Sequence, residues 1–296
     1  MCGGGGDGVK QVEWDDTLWS RWPTWRLVVE EQPGTIEEKI ARDQAMGRRV
    51  AAGGPPTFRL WVNDPCLVVS RRDIVQGLRR GGDPPREVDG LPIRVRSSGG
   101  TAVPHGPGVL QFSLVVPRMD RVGMEEVYRT LCRPVEAVLG QRGWRAEFGR
   151  VAGSFCDGAH NLVVNGRKIA GTSQSWKGGL AVPGSRNRGY ILAHGTLWVR
   201  VDPEQAADWL NDFYEQTIGE RPIRARASTS LHLLPGGEGV DVRQVIAETA
   251  NVLESAMGPQ VKLERVRALT DEEISWGREG ASETDPRRVA YGVDRP

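Results

Sequence analysis

Leu162-Val163-Val164, then Asn165-Gly166, then Lys168-Ile169-Ala170 constrains this chain more than any other stretch. Two apolar runs sit on either side of a dipeptide that readily takes the positive φ angles of a type I′ turn, which specifies a β-hairpin. Further strands are expected where Phe58, Leu60 and Val62 alternate with other residues, at Cys66–Ser70, at Ile93–Arg96, at Val109–Val116 and at Tyr190–Val201. Helices flank this strand-rich middle. Thr35 and Glu38 have capping-box spacing and open a helix through Ile36, Ile40 and Val50, which Gly53-Gly54-Pro55-Pro56 ends. Glu125–Gln141 places Val127, Leu131, Val135 and Val138 on one face, with Pro134 expected to kink or split it. Asp202-Pro203 opens a helix to Gly219, and Asp241–Met257 is a last one, stopped by Gly258. Short turns between neighbouring strands favour antiparallel pairing and an α+β class. There is no internal repeat and no dinucleotide-binding fingerprint.

Length and charge narrow the partners. The 296 residues allow one large domain or two small ones, and a net charge of +1 supplies no basic field for nucleic acid. No apolar run approaches the roughly 20 residues of a membrane span. The first residues carry neither the basic patch nor the apolar stretch of a signal peptide, so a cytoplasmic location is expected. The four cysteines, Cys2, Cys66, Cys132 and Cys156, show no Cys-x-x-Cys spacing, so no metal site or redox pair is expected. Residues 1–22 read as a flexible arm, with Trp14, Trp19 and Trp22 able to dock. Residues 259–296 read as a polar tail.

Four segments could carry chemistry. Arg96-Ser97-Ser98-Gly99-Gly100, continuing to His105, follows a strand, and its glycines let the backbone approach a carbonyl, carboxyl or phosphate oxygen. A plain tight hairpin explains the same glycines. Lys168, followed by Gly171-Thr172-Ser173, could stabilise developing negative charge, although an outward, solvated lysine is the commoner fate. Ser154-Phe155-Cys156-Asp157-Gly158 sets a cysteine in a short polar loop, where it could be a nucleophile or a small core filler. Cys66 and Cys132 fit the filler reading, and Cys2 reads as exposed. His194, in His194-Gly195-Thr196-Leu197, could orient a ligand or simply be a satisfied core histidine. His160 and His232 carry no recognisable context.

Taken in this order, the segments resemble the lipoate/biotin protein ligase superfamily. Arg96, Ser98, Gly99, Gly100, Val103 and His105 match its Arg-x-Ser-Gly-Gly-x-x-Val-x-His signature. Gly166, Arg167, Lys168, Ile169, Gly171 and Gln174 match the stretch that holds its lysine, and His194–Leu197 matches its His-Gly-Thr-Leu strand. The Ala41–Ala45 segment with Asp43, and Pro56-Thr57, resemble the family's opening. The resemblance covers roughly residues 25–255. It implies a class II synthetase/biotin ligase-like catalytic domain over residues 23–258. Such a domain has a central, mixed, largely antiparallel sheet, flanking helices and a small second sheet lining an acyl tunnel, with no full accessory domain following it.

Within that superfamily, Ser154-Phe155-Cys156-Asp157-Gly158 ahead of Lys168 is similar to the cysteine-dependent amidotransferase branch. The resemblance implies an octanoyl or lipoyl group carried as a Cys156 thioester to a lysine of a lipoyl-type carrier domain. Lys168 would bind the acyl oxygen; Arg96, Ser98, Gly99, Gly100, His105, Gly171, Thr172, Ser173 and His194 would form the substrate site. A lipoyl-type domain or an acyl carrier protein would be the donor, and no cofactor of its own is expected. An ATP-dependent lipoate ligase using ATP and Mg is the alternative, although Ala159-His160-Asn161 departs from the ligase pattern. A non-catalytic carrier-binding protein ranks third, and biotin ligation a distant fourth. Gly184–Gly189 reads as an insertion without an assigned role.

Overall fold

The computed structural model describes residues 17–32, 34–179, 189–257 and 259–292. The strands are β1 (Thr24–Val29), β2 (Thr57–Trp61), β3 (Cys66–Ser70), β4 (Glu87–Val88), β5 (Leu91–Arg96) and β6 (Val103–His105). They continue as β7 (Val109–Pro117), β8 (Glu147–Gly149), β9 (Asn161–Val164), β10 (Arg167–Lys177), β11 (Tyr190–Trp198) and β12 (Lys262–Val266). The helices are α1 (Ile36–Ala51), α2 (Arg71–Arg79), α3 (Met124–Gln141), α4 (Pro203–Ile218), α5 (Val242–Ala256), α6 (Asp271–Ala281) and α7 (Pro286–Tyr291). Eight strands form one sheet in the order β12-β1-β2-β7-β11-β10-β9-β8, and β4-β5-β3-β6 form a second, smaller one. Among the described residues of the large sheet, only β12–β1 and β1–β2 pair in parallel. The chain is therefore α+β, with a mixed, largely antiparallel central sheet and a small second sheet.

Side-chain alternation along each strand divides the large sheet into two faces. Phe58, Leu60, Leu110, Phe112 and Leu114 point into the main apolar core beside the α3 face of Val127, Leu131 and Val135. The opposite face carries polar rows. Arg59 pairs with Ser113, Ser113 with His194, and His194 with Ser173. One pleat further on, Trp61 pairs with Gln111, Gln111 with Thr196, and Thr196 with Gly171. Helix α1 covers this face, and the small sheet packs in the buried cluster beside it. Gly47 lets α1 lie close, since a methyl there would stand 2.3 Å from the Tyr190 ring.

Local signals hold where they are strongest. The Thr35 side chain accepts from Glu38 N, and Glu38 closes the capping box. Asn165 and Gly166 sit at φ 51° and 73° as the hairpin requires. Asp202 caps α4, and Gly219 ends it in the left-handed region.

Three expectations change. Pro134 does not divide α3, which runs unbroken because the buried face on both sides of the proline packs into the same core. From Thr17 the supposed arm is part of the fold. Leu18 and Trp19 are buried, Leu18 N donates to Thr130 Oγ1 at 2.8 Å, and Trp25 Nε1 donates to the Trp19 carbonyl at 2.9 Å. The stretch read as a polar tail after residue 258 is structured. Its β12 extends the large sheet, α6 packs on α1, and α7 reaches α2. The apolar surface of this segment is thin, but the buried Glu273 at the start of α6 pairs with Arg26 of β1 and anchors it. Trp14, Cys2, residues 184–188 of the suggested insertion and Gly258 lie outside the described residues.

Candidate active site

The cysteine loop is fixed from several sides. Cys156 has φ +49°, a left-handed conformation that costs free energy in a residue with a Cβ and persists where its surroundings over-determine it. Its N–H donates to Thr101 Oγ1 at 2.6 Å. Its carbonyl accepts from Lys168 Nζ at 2.7 Å and from Asn161 Nδ2, and Lys168 Nζ also donates to the Phe155 carbonyl. Asn161 further donates to the Gly158 carbonyl at 2.8 Å and accepts from Thr172 N at 3.0 Å. These bonds draw β9, β10 and the loop together. The thiol itself donates to the Thr172 carbonyl at 3.9 Å.

Lys168 is wholly buried behind this loop, with Nζ 3.8 Å from the centre of the Phe155 ring. It faces the loop's carbonyls, not the open cleft where an acyl oxygen was expected to meet it. Burial pushes its amine down to about 7, partly opposed by Cys156 and Asp157. Phe155 in turn stacks on Trp198, 4.4 Å between ring centres.

The glycine loop faces the thiol. A methyl built on Gly100, where φ is +95°, would stand 2.9 Å from both Cys156 Sγ and Arg96 Nη2. Arg96 spends its guanidinium on the Val68, Gly99 and Thr101 carbonyls, so it shapes the loop and does not present a free charge. Ser173 Oγ donates to the Gly99 carbonyl at 3.0 Å. Among the described residues, the N–H groups of Gly99 and Gly100 donate to no protein acceptor.

Cys156, Arg96, His105, Gly171, Thr172, Ser173 and His194 line one cleft of about 640 Å³, its open mouth included, between the polar sheet face, α1 and the small sheet. Ser98 stands behind His194, and the Lys168 amine stands behind the cysteine. Burial, with the nearby Arg96 charge, pushes His105 down to about 3, so it acts as a neutral hydrogen-bonding group and supplies no charge. Cys66 and Cys132 are buried thiols, with Cys66 pushed up by burial to about 12, which fits the filler reading. His160 stacks on Tyr128, 4.5 Å between centres.

The sequence reading missed several members. Asn161 belongs to the cysteine scaffold, and the Tyr214 hydroxyl accepts from Ala102 N at 2.8 Å. Asp43, named before only for its helix, lines the cleft inside a buried ionic chain. Arg42 bonds to Glu30, Glu30 to Arg59, and Arg59 Nη1 to Asp43 Oδ1 at 2.6 Å. Ser113 Oγ donates to Asp43 Oδ2 at 2.8 Å. Burial alone would raise the Asp43 carboxyl, but Arg59 and His194 outweigh it and hold the group below the usual carboxylate range. Gln111 Oε1 accepts from Thr196 Oγ1 at 2.7 Å, while its buried Nε2 has no partner among the described residues.

Residues 35–254 match the family model of the lipoyl protein ligase A/B catalytic domain. The chain belongs to that family. An uncharacterized protein of Cupriavidus necator is 32% identical over 220 residues, covering 71% of this chain and 87% of that one. The octanoyl-[GcvH]:protein N-octanoyltransferase of Geobacillus kaustophilus is 32% identical over 209 residues, covering 66% and 67%. Among solved structures, lipoate-protein ligase A bound with ATP superposes with a TM-score of 0.62 at 21% identity, over 88% of this chain and 95% of that one. A bi-partite lipoate protein ligase from Thermoplasma acidophilum, described with its E2 lipoyl domain, gives 0.58 at 21% identity, over 88% and 92%. At that identity the lipoyl ligase structures speak for the fold of this family member.

Proposed function

We propose that this protein is an acyltransferase that moves an octanoyl or lipoyl group, through a Cys156 thioester, to a lysine of a lipoyl-type carrier domain. The observation that carries the reading is the placement of Cys156 Sγ against Gly100, in a loop whose Gly99 and Gly100 N–H groups meet no acceptor among the described residues. Relatives named octanoyl-[GcvH]:protein N-octanoyltransferases support the substrate class. In the first step Sγ bonds to the acyl carbon, the donor's bond to that carbon breaks, and the leaving group departs with a proton. In the second, the acceptor nitrogen bonds to the acyl carbon and the C–S bond breaks, restoring the thiol. Gly99 and Gly100 receive the carbonyl oxygen as it gains charge in each step. Lys168 acts from behind, setting the left-handed turn that aims the thiol, and Asn161 is used in the same way. The catalytic domain extends through the C-terminal helices, and a lipoyl-type domain or an acyl carrier protein is the donor.

Intact-protein mass spectrometry after incubation with octanoylated or lipoylated carrier tests the reading. A hydroxylamine-labile adduct on the wild type, absent from Cys156→Ala, is the expected result. No adduct, with an apo-carrier acylated only when free acid, ATP and Mg are supplied, overturns it in favour of the ligase.

A further inference from the structure

His194 is held at one ring nitrogen and faces a carboxylate at the other. Nδ1 faces Asp43 Oδ2 at 3.8 Å, and Nε2 lies 2.6 Å from Ser98 Oγ. Asp43 is a buried carboxylate, fixed by Arg59 and Ser113 and only 5% exposed at its side chain. Its charge favours the His194 tautomer with the proton on Nδ1, which leaves Nε2 to accept the Ser98 hydroxyl proton. Ser98 immediately precedes the Gly99-Gly100 pair that abuts Cys156 Sγ, and His194 lines the same cleft as Cys156. A carboxylate, an imidazole and a hydroxyl are thus ordered from α1, through β11, to the loop beside the thiol. A plain packing role does not require that order, because it holds a basic nitrogen against a proton-carrying oxygen with a charge behind it.

We propose that Asp43, His194 and Ser98 form the relay that takes the proton from the acceptor lysine when it attacks the acyl-enzyme; this rests on the thioester reading above. The lysine arrives as free amine, and its nitrogen bonds to the acyl carbon. The C–S bond breaks with its electron pair going to Sγ. The surplus proton on nitrogen moves to Nε2 of the cleft-lining His194, as the Ser98 hydroxyl turns from donating to that nitrogen to accepting from it. Asp43 stabilises the imidazolium so formed, which then returns its proton to the Cys156 thiolate. Nothing is oxidised or reduced, and each cycle returns every group to the state in which it began. Leaving-group departure in the first step needs the reverse transfer, but the requirement is sharpest for aminolysis, where a nitrogen of high basicity must lose a proton.

Acyl-enzyme is prepared from the wild type, from His194→Gln and from Ser98→Ala, isolated, and allowed to decay in single turnover with either apo-carrier or hydroxylamine. Hydroxylamine is already unprotonated at neutral pH and makes little demand on a base. The relay requires both variants to slow transfer to carrier lysine by roughly 10²–10⁴-fold, the usual worth of a placed general base, while the hydroxylamine rate stays near that of the wild type. Equal slowing with both nucleophiles, the mark of a misplaced loop, overturns the relay, as does unchanged transfer to lysine. Wild-type protein that forms no Cys156 adduct fails at an earlier point and removes the thioester reading and the relay together. Ser98→Ala leaves the His194–Asp43 contact in place, so the comparison survives if His194→Gln does not fold.

Discussion

Lys168 Nζ lies 2.7 Å from the carbonyl oxygen of Cys156. The lysine therefore supports the backbone of the Cys156 loop, and folding alters its own charge. Burial moves its amine from an ordinary 10.5 to about 7. Between those values the unfolded chain holds a proton that the folded protein lacks, so stability rises with pH across this window. Below about 7 both states are charged, and the cost of the buried cation is borne in full. In urea unfolding, the stability of the wild type relative to Lys168→Met is expected to rise by about 1.4 kcal/mol per pH unit between pH 7 and 10. Parallel curves for the two proteins would show the amine unperturbed.

Gly99 and Gly100 should respond in opposite ways to one added methyl. At Gly99 a Cβ meets nothing within 4 Å, whereas at Gly100 it meets Cys156 Sγ and Arg96 at 2.9 Å with φ at +95°. Gly100→Ala is expected to slow acyl-adduct formation by on the order of 10²-fold, the effect of a displacement near 1 Å at the reacting atoms. Gly99→Ala should stay close to the wild type. Time-resolved mass spectrometry of both variants measures this, and equal rates would remove the close approach from the account.

His105 gives a second pH signature, on the acid side. Its ring is pushed from an ordinary 6.5 to about 3, chiefly by burial. In that interval the unfolded chain takes up a proton that the folded protein refuses, so stability falls as pH drops from 6.5 toward 3. The slope from this one group is about 1.4 kcal/mol per pH unit. His105→Asn is expected to flatten the acid limb of a plot of urea midpoint against pH, and an unchanged limb would assign acid sensitivity elsewhere.

The C-terminal segment depends on one buried pair. Arg26 and Glu273 have side chains 7% and 0% exposed, joined by two hydrogen bonds, one of them at 2.9 Å. Glu273→Ala strands the Arg26 cation and is expected to cost about 3–5 kcal/mol. Arg26→Met combined with Glu273→Ala should recover most of that loss, because an apolar pair needs no counter-charge. Denaturant unfolding of both single variants and the double measures the coupling, and simple additivity would place the anchor elsewhere.

What was legible in the sequence was mostly local. The Thr35–Glu38 box, the Asn165-Gly166 turn and the Asp202-Pro203 start each act within a few residues, so the chain declares them directly. Helix α2 was missed although Ser70 and Asp73 form a capping box, because its start coincides with the end of the apolar run Cys66–Ser70. Strand β12 was missed because Lys262, Glu264 and Arg265 give it a charged, partly exposed pattern that reads as tail.

The site divides in the same way. Cys156, Lys168 and the glycine pair could be named from motifs, but not the side of the loop on which the lysine amine lies. Asp43, Ser113 and His194 are 70 and more residues apart along the chain; strand register sets Ser113 beside His194, and α1, packed across both strands, brings Asp43 to them. No spacing rule expresses such a meeting, since it follows from which strands pair and on which pleat each residue falls.

The pairing of β1 with β12 also sets an order of assembly. Thr24 must wait for Lys262, and at 5–20 residues per second that wait is about 10–50 s of synthesis. Throughout it the β1 edge is unpaired, the Arg26 cation has no Glu273, and α1, which carries Asp43, lacks the helix that braces it. A nascent chain can therefore display its cysteine loop well before the segment that braces the Asp43 helix exists. Translation itself acts as a timer on when this enzyme can begin to work.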